Sequence, residues 1–153
     1  MLNSLTQRQT LILIAAVLAA TIAGAWLFQW AGYEPCELCL KQRWGYYAGI
    51  PLALIAAFSG PKAWKPGLVL LAVILAANAV FGVYHSGVEW KWWEGPATCG
   101  GGAVSGGLPD LSKPAVLCTE AAVRILGLSL AGWNAVISAG LLLLAICGLR
   151  KAA

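Results

Sequence analysis

"TLILIAAVLAATIAGAWLFQW", residues 10–30, runs 21 positions without a charged side chain. A helix that crosses the hydrocarbon of a bilayer needs roughly 20 mostly apolar residues. The stretch therefore predicts a membrane span. It is too long for the apolar core of a secretory signal and lacks the small-residue cleavage site of one, so it reads as a retained helix. Three further stretches follow the same logic: Leu40–Ser59, Gly67–His85 and Gly132–Leu149. The second is the least uniform, because Lys41, Gln42 and Arg43 open it. Long basic side chains at such an end snorkel to the interface. Composition agrees, with 60% hydrophobic and 10% charged residues in 153 and a mean hydropathy of +0.78. A soluble domain carries about 25% charge, so the natural solvent of this chain is a lipid bilayer. No internal repeat is evident. The expected fold is all-α, a single four-helix transmembrane bundle over residues 1–153 with two loops on its outer side.

Charge layout gives the orientation and argues against nucleic acid as a partner. Four alternating spans put both termini on one side with the Gly60–Pro66 connection. That side holds Arg8, Lys62, Lys65, Arg150 and Lys151 and no acid. The other side holds all six acids and five basic residues, so the net +4 forms no basic face. By Lys and Arg count the sides tie, but the first side packs its cations into very short segments, as cytoplasmic loops do. The termini are expected in the cytoplasm and the loops in the periplasm. Outer loop 1 is Ala31–Cys39. Outer loop 2 is Ser86–Ala131. The second opens with Trp90, Trp92 and Trp93, which suit a headgroup belt. It continues through the glycine tract "GGGAVSGG", residues 100–107, expected to be flexible. Pro109 and Pro114 follow, and exclude a long helix there. Leu108, Leu111, Val116 and Leu117 offer a short face for the bilayer surface.

Five cysteines carry the chemistry. Cys36 and Cys39 lie in outer loop 1, Cys99 and Cys118 in outer loop 2, all on the face where disulfides persist. Cys147 stands alone near the far end of the last span and reads as a small buried hydrophobe. Four thiolates suit a closed zinc site, but 18 residues separate Cys99 from Cys118, unlike a zinc knuckle, and no metal is expected. Leu40 follows the first pair, where a c-type haem needs histidine. No βαβ context surrounds it, as a thioredoxin motif requires. A purely structural Cys99–Cys118 bridge would contribute on the order of 3 kcal/mol, yet the loop it closes has little to order.

The stretch "PCELCLKQRWGYYAG", residues 35–49, favours redox work. A helix starting near Cys39 places partial positive charge at that cysteine, and Arg43 lies one turn on. Both are expected to favour the Cys39 thiolate, unless Arg43 is only an anchor. An electron acceptor for a thiolate at a bilayer surface should be lipid-soluble, flat and able to take two electrons, which describes a quinone. The periplasmic relay from thiol to quinone is already part of general redox chemistry.

These residues, together with "YHSGVEWKWWEGPATC" (residues 84–99) and the four spans, resemble the DsbB family of Gram-negative bacteria. The resemblance covers nearly the whole chain and is weakest over residues 100–117, where the loop is short and glycine-rich. It implies an enzyme of the inner membrane that reoxidises a DsbA-type periplasmic thiol oxidase and passes electrons to ubiquinone or menaquinone. It implies that Cys99 forms the mixed disulfide with the partner, and that Cys118 resolves it and passes electrons to Cys36. Cys39 then faces the quinone as thiolate, and Arg43 steadies the negative charge on the reduced oxygen. His85 aligns with a family position near the quinone, although a helix-end histidine bonded to the backbone is the plainer reading. Glu89 has no role beyond solvation. Two other readings stand beside this one: a relative serving one dedicated partner oxidase, and a non-catalytic four-helix scaffold with structural disulfides.

Overall fold

The computed structural model describes residues 5–100 and 116–151. Most of the glycine tract, Pro109, Pro114, Leu108 and Leu111 lie outside these residues. Four long helices dominate: α1 Gln7–Trp30, α2 Glu37–Phe58, α3 Pro61–Glu89 and α4 Leu130–Leu149. α3 lies along α4, while α2 packs on both α1 and α3. Three of the four, α1, α3 and α4, are long and apolar enough to cross a membrane. α2 is not among them, because Lys41, Gln42, Arg43 and two tyrosines lower the hydropathy of its first half.

The helix starts follow local chemistry. Thr6 caps α1 in a reciprocal box with Gln9: its hydroxyl accepts the Gln9 amide, and the Gln9 side chain accepts the Thr6 amide. Pro61 opens α3 at a first-turn position, where a missing N–H costs nothing. That start lies six residues ahead of the expected Gly67. Pro66 also falls within the first turns, so α3 reaches 29 residues, about 44 Å at 1.5 Å per residue. The surplus extends past His85 through Ser86, Gly87, Val88 and Glu89, which were expected in outer loop 2.

The core is made of Leu11, Ile14 and Leu18 of α1, Ala53 and Ala57 of α2, Leu68, Leu71 and Leu75 of α3, and Leu141 and Ala145 of α4. Small residues set the close approaches. At Gly82 an added Cβ would meet the Ala135 backbone at 2.9–3.0 Å, so α3 and α4 touch there nearly main chain to main chain. A polar knot lies in the same interface. The Asn78 amide donates to Asn134 Oδ1 at 3.0 Å and to Ser138 Oγ at 3.1 Å, and the Tyr46 hydroxyl also donates to Asn134 Oδ1. The outward faces are greasy instead: Val80 is 70% exposed and Leu143 63%. Cys147 sits on such a face. It is exposed, not buried as expected, because residues 141, 145 and 148 take the inward stripe of α4.

The termini and the α2–α3 connection gather at one end. Gln7 donates to the Lys151 carbonyl at 2.9 Å, Lys151 Nζ donates to the Leu5 carbonyl at 2.7 Å, and the Arg8 guanidinium lies 5.3 Å from the Phe58 ring centre. The other end holds both cysteine pairs. It also holds a feature the sequence did not announce, a two-strand hairpin of β1 Arg124–Ile125 and β2 Leu128–Ser129. Leu126 and Gly127, at φ 52° and 85°, form its two-residue turn, the positive-φ pattern of a primed hairpin turn. Ser129 then caps α4 by accepting the Gly132 amide.

Candidate active site

The first pair is built on the start of α2. Cys36 is the N-cap residue, and its sulfur accepts the Cys39 amide at 3.2 Å. A cap side chain reaches the amide three positions on, which is the spacing of the pair itself. The motif therefore folds both cysteines onto one orphan helix end. The two sulfurs lie 2.7 Å apart, close enough to share one proton between them. Little movement separates this dithiol from a bridge. Glu37 in the same turn pairs with Lys41 at 2.7 Å across the exposed surface of the helix.

α3 supplies the third member. His85 is 1% exposed and sets Nε2 3.5 Å from Cys36 Sγ. Glu89, one turn later, places Oε1 3.9 Å from the same nitrogen. Among the described residues His85 Nδ1 and Glu89 Oε2 have no hydrogen-bond partner. Sequence reasoning gave Glu89 only solvation; it is buried instead. The hint was its place four residues after His85, which puts both on one helix face.

These neighbours divide the acidity of the pair unequally. A bond from the Cys39 side chain pulls the Cys36 thiol down, against the opposing effect of burial, with His85 assisting. The same bond raises Cys39, which must keep its proton to donate it, and burial raises it further. The expectation that Cys39 would be the favoured thiolate is thus reversed in the dithiol form. The reason is chiefly the bond between the two sulfurs, which favours charge on Cys36 and a proton on Cys39, with the helix-end amide a smaller aid. Arg43 takes no part. Its Nη1 donates to Gln29 Oε1 at 2.7 Å, a contact no spacing rule signals.

The second pair forms a disulfide, Cys99–Cys118. Cys99 sits in a short 3-10 turn, Ala97–Gly100, which touches the start of α2. The chain reaches it by folding back on α3. Trp93 stacks on Tyr84, rings nearly parallel at 6.0 Å, and donates its indole N–H to the Tyr84 carbonyl at 2.8 Å. Gly87 leaves the room, since a Cβ there would lie 2.0 Å from the Trp93 ring. As a result Cys36, Cys99 and Cys118 share one buried cluster with Leu38 and Val88, and Cys39 and Val116 pack against it. Val116 and Leu117, expected on a bilayer-facing strip, are turned instead to this cluster and to the groove beside Cys99.

Two hollows flank the cluster. A cavity of about 520 Å³ between α1, α2 and α4 is walled by apolar side chains such as Val17, Ile22, Phe28 and Ile137, with Cys39, Gln42 and Arg43 also lining it. Ile125 of the hairpin and Leu130 close one side. An outer groove of about 530 Å³ runs past Cys99 between Trp92, Trp93, Pro96, Leu117 and Thr119. Cys39 thus borders the apolar cavity and Cys99 the outer groove, with Cys36 and Cys118 packed in the shared cluster.

A family model described as disulfide bond formation protein DsbB matches residues 7–148. The chain is 30% identical to disulfide bond formation protein B of an Acidovorax species, covering 83% of this chain and 78% of that one. It is 31% identical to the protein of that name from Marinobacter nauticus, over 93% and 91% of the two chains. A shorter match of 41% identity to the Chromobacterium violaceum protein of that name covers 49% and 48%. No solved structure matches the chain.

Proposed function

The chain belongs to the disulfide bond formation protein DsbB family, and from that premise we propose that it reoxidises a DsbA-type periplasmic dithiol oxidase and delivers the electrons to a membrane quinone. The observation that carries the reading is the placement of the two pairs. One borders a groove open to a protein, the other a cavity suited to a lipid-soluble ring, and a single buried cluster joins them.

A partner thiolate would enter the groove and attack Cys99, forming the mixed disulfide and releasing Cys118 as a thiolate. The partner's second thiol resolves that bond and leaves oxidised. The Cys118 thiolate attacks Cys36 of the oxidised first pair, Cys39 departs as a thiolate bordering the apolar cavity, and the Cys99 thiolate then attacks Cys118, restoring the second disulfide and releasing Cys36. Attack succeeds in proportion to leaving-group acidity and access, and bond formation at Cys36 removes the sulfur that holds Cys39 in its thiol form. The cavity suits a quinone head group by its apolar walls and by the polar donors Gln42 and Arg43 beside Cys39. A quinone there supplies a sink for two electrons. Arg43 would then exchange Gln29 for a developing oxyanion, a charge-assisted contact that its planar fork suits. The apolar walls exclude water from Cys39. With the termini in the cytoplasm, the cysteine end faces the periplasm of the inner membrane.

The test is turnover by the purified protein with a reduced dithiol partner and added quinone. Cys99→Ser should abolish oxidation of the partner while a small thiol still reduces the Cys36–Cys39 disulfide. Cys39→Ser should abolish quinone reduction with every donor. Normal turnover of the protein partner by Cys99→Ser would overturn the relay.

A further inference from the structure

Three soft donors converge on one point of the cysteine end. Cys36 Sγ, Cys39 Sγ and His85 Nε2 all lie within 4.8 Å of one another. The Cys36 Sγ to His85 Nε2 distance of 3.5 Å is close to what two ligands on one tetrahedral zinc require, given Zn–S of about 2.3 Å and Zn–N of about 2.0 Å. The sulfurs, now 2.7 Å apart, would open by about 1 Å to bracket an ion at those bond lengths. Glu89 stands beside this trio rather than within it, with Oε1 3.9 Å from His85 Nε2. His85 and Glu89 are 1% and 8% exposed, and each keeps an unpartnered polar atom among the described residues. Leaving one buried polar atom of each unsatisfied is costly, so the pair is better explained as serving something than as core.

We propose that reduced Cys36 and Cys39 with His85, supported by the neighbouring Glu89 carboxylate, bind a thiophilic divalent cation, zinc above all, and that the bound ion withholds the pair from thiol exchange. Two thiolates, an imidazole and a carboxylate are all zinc donors. This is not the four-thiolate site that the cysteine count first suggests, because Cys99 and Cys118 are spent on each other. Binding displaces the Cys39 thiol proton, and that of Cys36 where it is still a thiol, and moves no electrons. A disulfide offers no thiolate, so only the reduced pair can hold the ion. The consequence for turnover rests on the proposed function; the binding itself does not. Free zinc would then trap the enzyme after its first pair has been reduced and before quinone reoxidises it.

The experiment uses the full chain in detergent, with the second pair removed by Cys99→Ser and Cys118→Ser. Zinc retention against a chromogenic chelator is compared between the reduced and oxidised first pair. Stoichiometric binding by the reduced form alone is expected. X-ray absorption at the zinc edge should show two sulfurs, imidazole scattering and a light donor, a readout that needs no further variant. His85→Ala should weaken binding by about tenfold or more, and Glu89→Gln by less, on the scale seen when metal-supporting groups are lost. Equal retention by the oxidised pair, or an ion shell without imidazole, would overturn the site. Quinone reduction by a small thiol, run on the parent with excess chelator, reads the proposed function separately. Its failure would leave the metal result standing, and zinc-free turnover alongside absent binding would sink only the metal site.

Discussion

Cys36 Sγ meets three groups at once: it accepts the Cys39 amide and lies against the Cys39 sulfur and the edge of His85. Each favours negative charge on that sulfur. The Cys36 thiol is therefore lowered from its ordinary range, chiefly by the Cys39 side chain and then by His85, so its thiolate persists as pH falls below that range and is lost on further acidification. Alkylation of Cys36 in a reduced Cys99→Ser/Cys118→Ser background, with chelator present, should titrate well below an ordinary thiol. His85→Ala should move the midpoint upward, and Cys39→Ser further still, since the bond from Cys39 is the larger cause. A parent midpoint in the ordinary thiol range would refute these neighbours as the source of reactivity. Arg43 makes a different case. It borders the same cavity as Cys39, yet spends a donor on Gln29. Arg43→Lys keeps the charge and loses the fork. It should insert and fold normally while raising the apparent KM for quinone about tenfold, the equivalent of one charge-assisted hydrogen bond. An unchanged KM would make Arg43 an interfacial anchor and nothing more.

The helices meet through glycines and amides, and that is where the elements are most vulnerable. Gly82→Ala would drive a Cβ against Ala135 N, Cα and Cβ at 2.9–3.0 Å. Two of those three atoms are backbone, so the neighbour has no rotamer to give. The cost should be about 1–3 kcal/mol, seen as a thermal midpoint several degrees lower in detergent. Ala135→Gly should restore only part of it, because only one offending atom leaves. Full restoration would show that the main chains are not in contact. Much of this architecture was legible in advance. Four apolar stretches became four helices, and the cysteine spacing became a helix cap, because hydrophobic length and capping are local properties. What was illegible has a physical cause in each case. The Leu126–Gly127 turn was missed because leucine rarely accepts positive φ. The extension of α3 to Glu89 was missed because polar Ser86 and Glu89 look like a loop until the fold buries them. The reversal of acidity between Cys36 and Cys39 was missed because it depends chiefly on the bond between the two sulfurs. Cys147 was misjudged because in lipid an outward face is as greasy as a core, so hydrophobicity no longer reports burial.

At the scale of the whole chain, the two ends differ in chemistry. One gathers the termini and the cations Arg8, Arg150 and Lys151, tied by contacts from Gln7 and Lys151 across the chain ends. The other gathers both cysteine pairs, the tryptophans and the hairpin. An even number of crossings follows if all four helices span, α2 included, despite its more polar first half. That half is held by its partners: Tyr46 enters the polar knot with Asn134, and Trp26 donates to the Tyr47 hydroxyl at 3.3 Å. Membrane orientation then follows from cation density, because short basic segments resist translocation. Labelling tests this, but the native cysteines are poor reporters, since Cys36 and Cys99 are only 6% and 4% exposed. In a variant stripped of cysteine, Trp92→Cys should place a thiol at an exposed site of the cysteine end, and Lys62→Cys one beside the basic connection. An impermeant maleimide applied to spheroplasts should label Trp92→Cys at once and Lys62→Cys only after lysis. The reverse pattern would put the redox centre in the cytoplasm, where thiols stay reduced, and a relay that makes disulfides for export would have no place to work. Labelling of both positions in intact spheroplasts would mean that α3, which runs between them, does not cross the membrane.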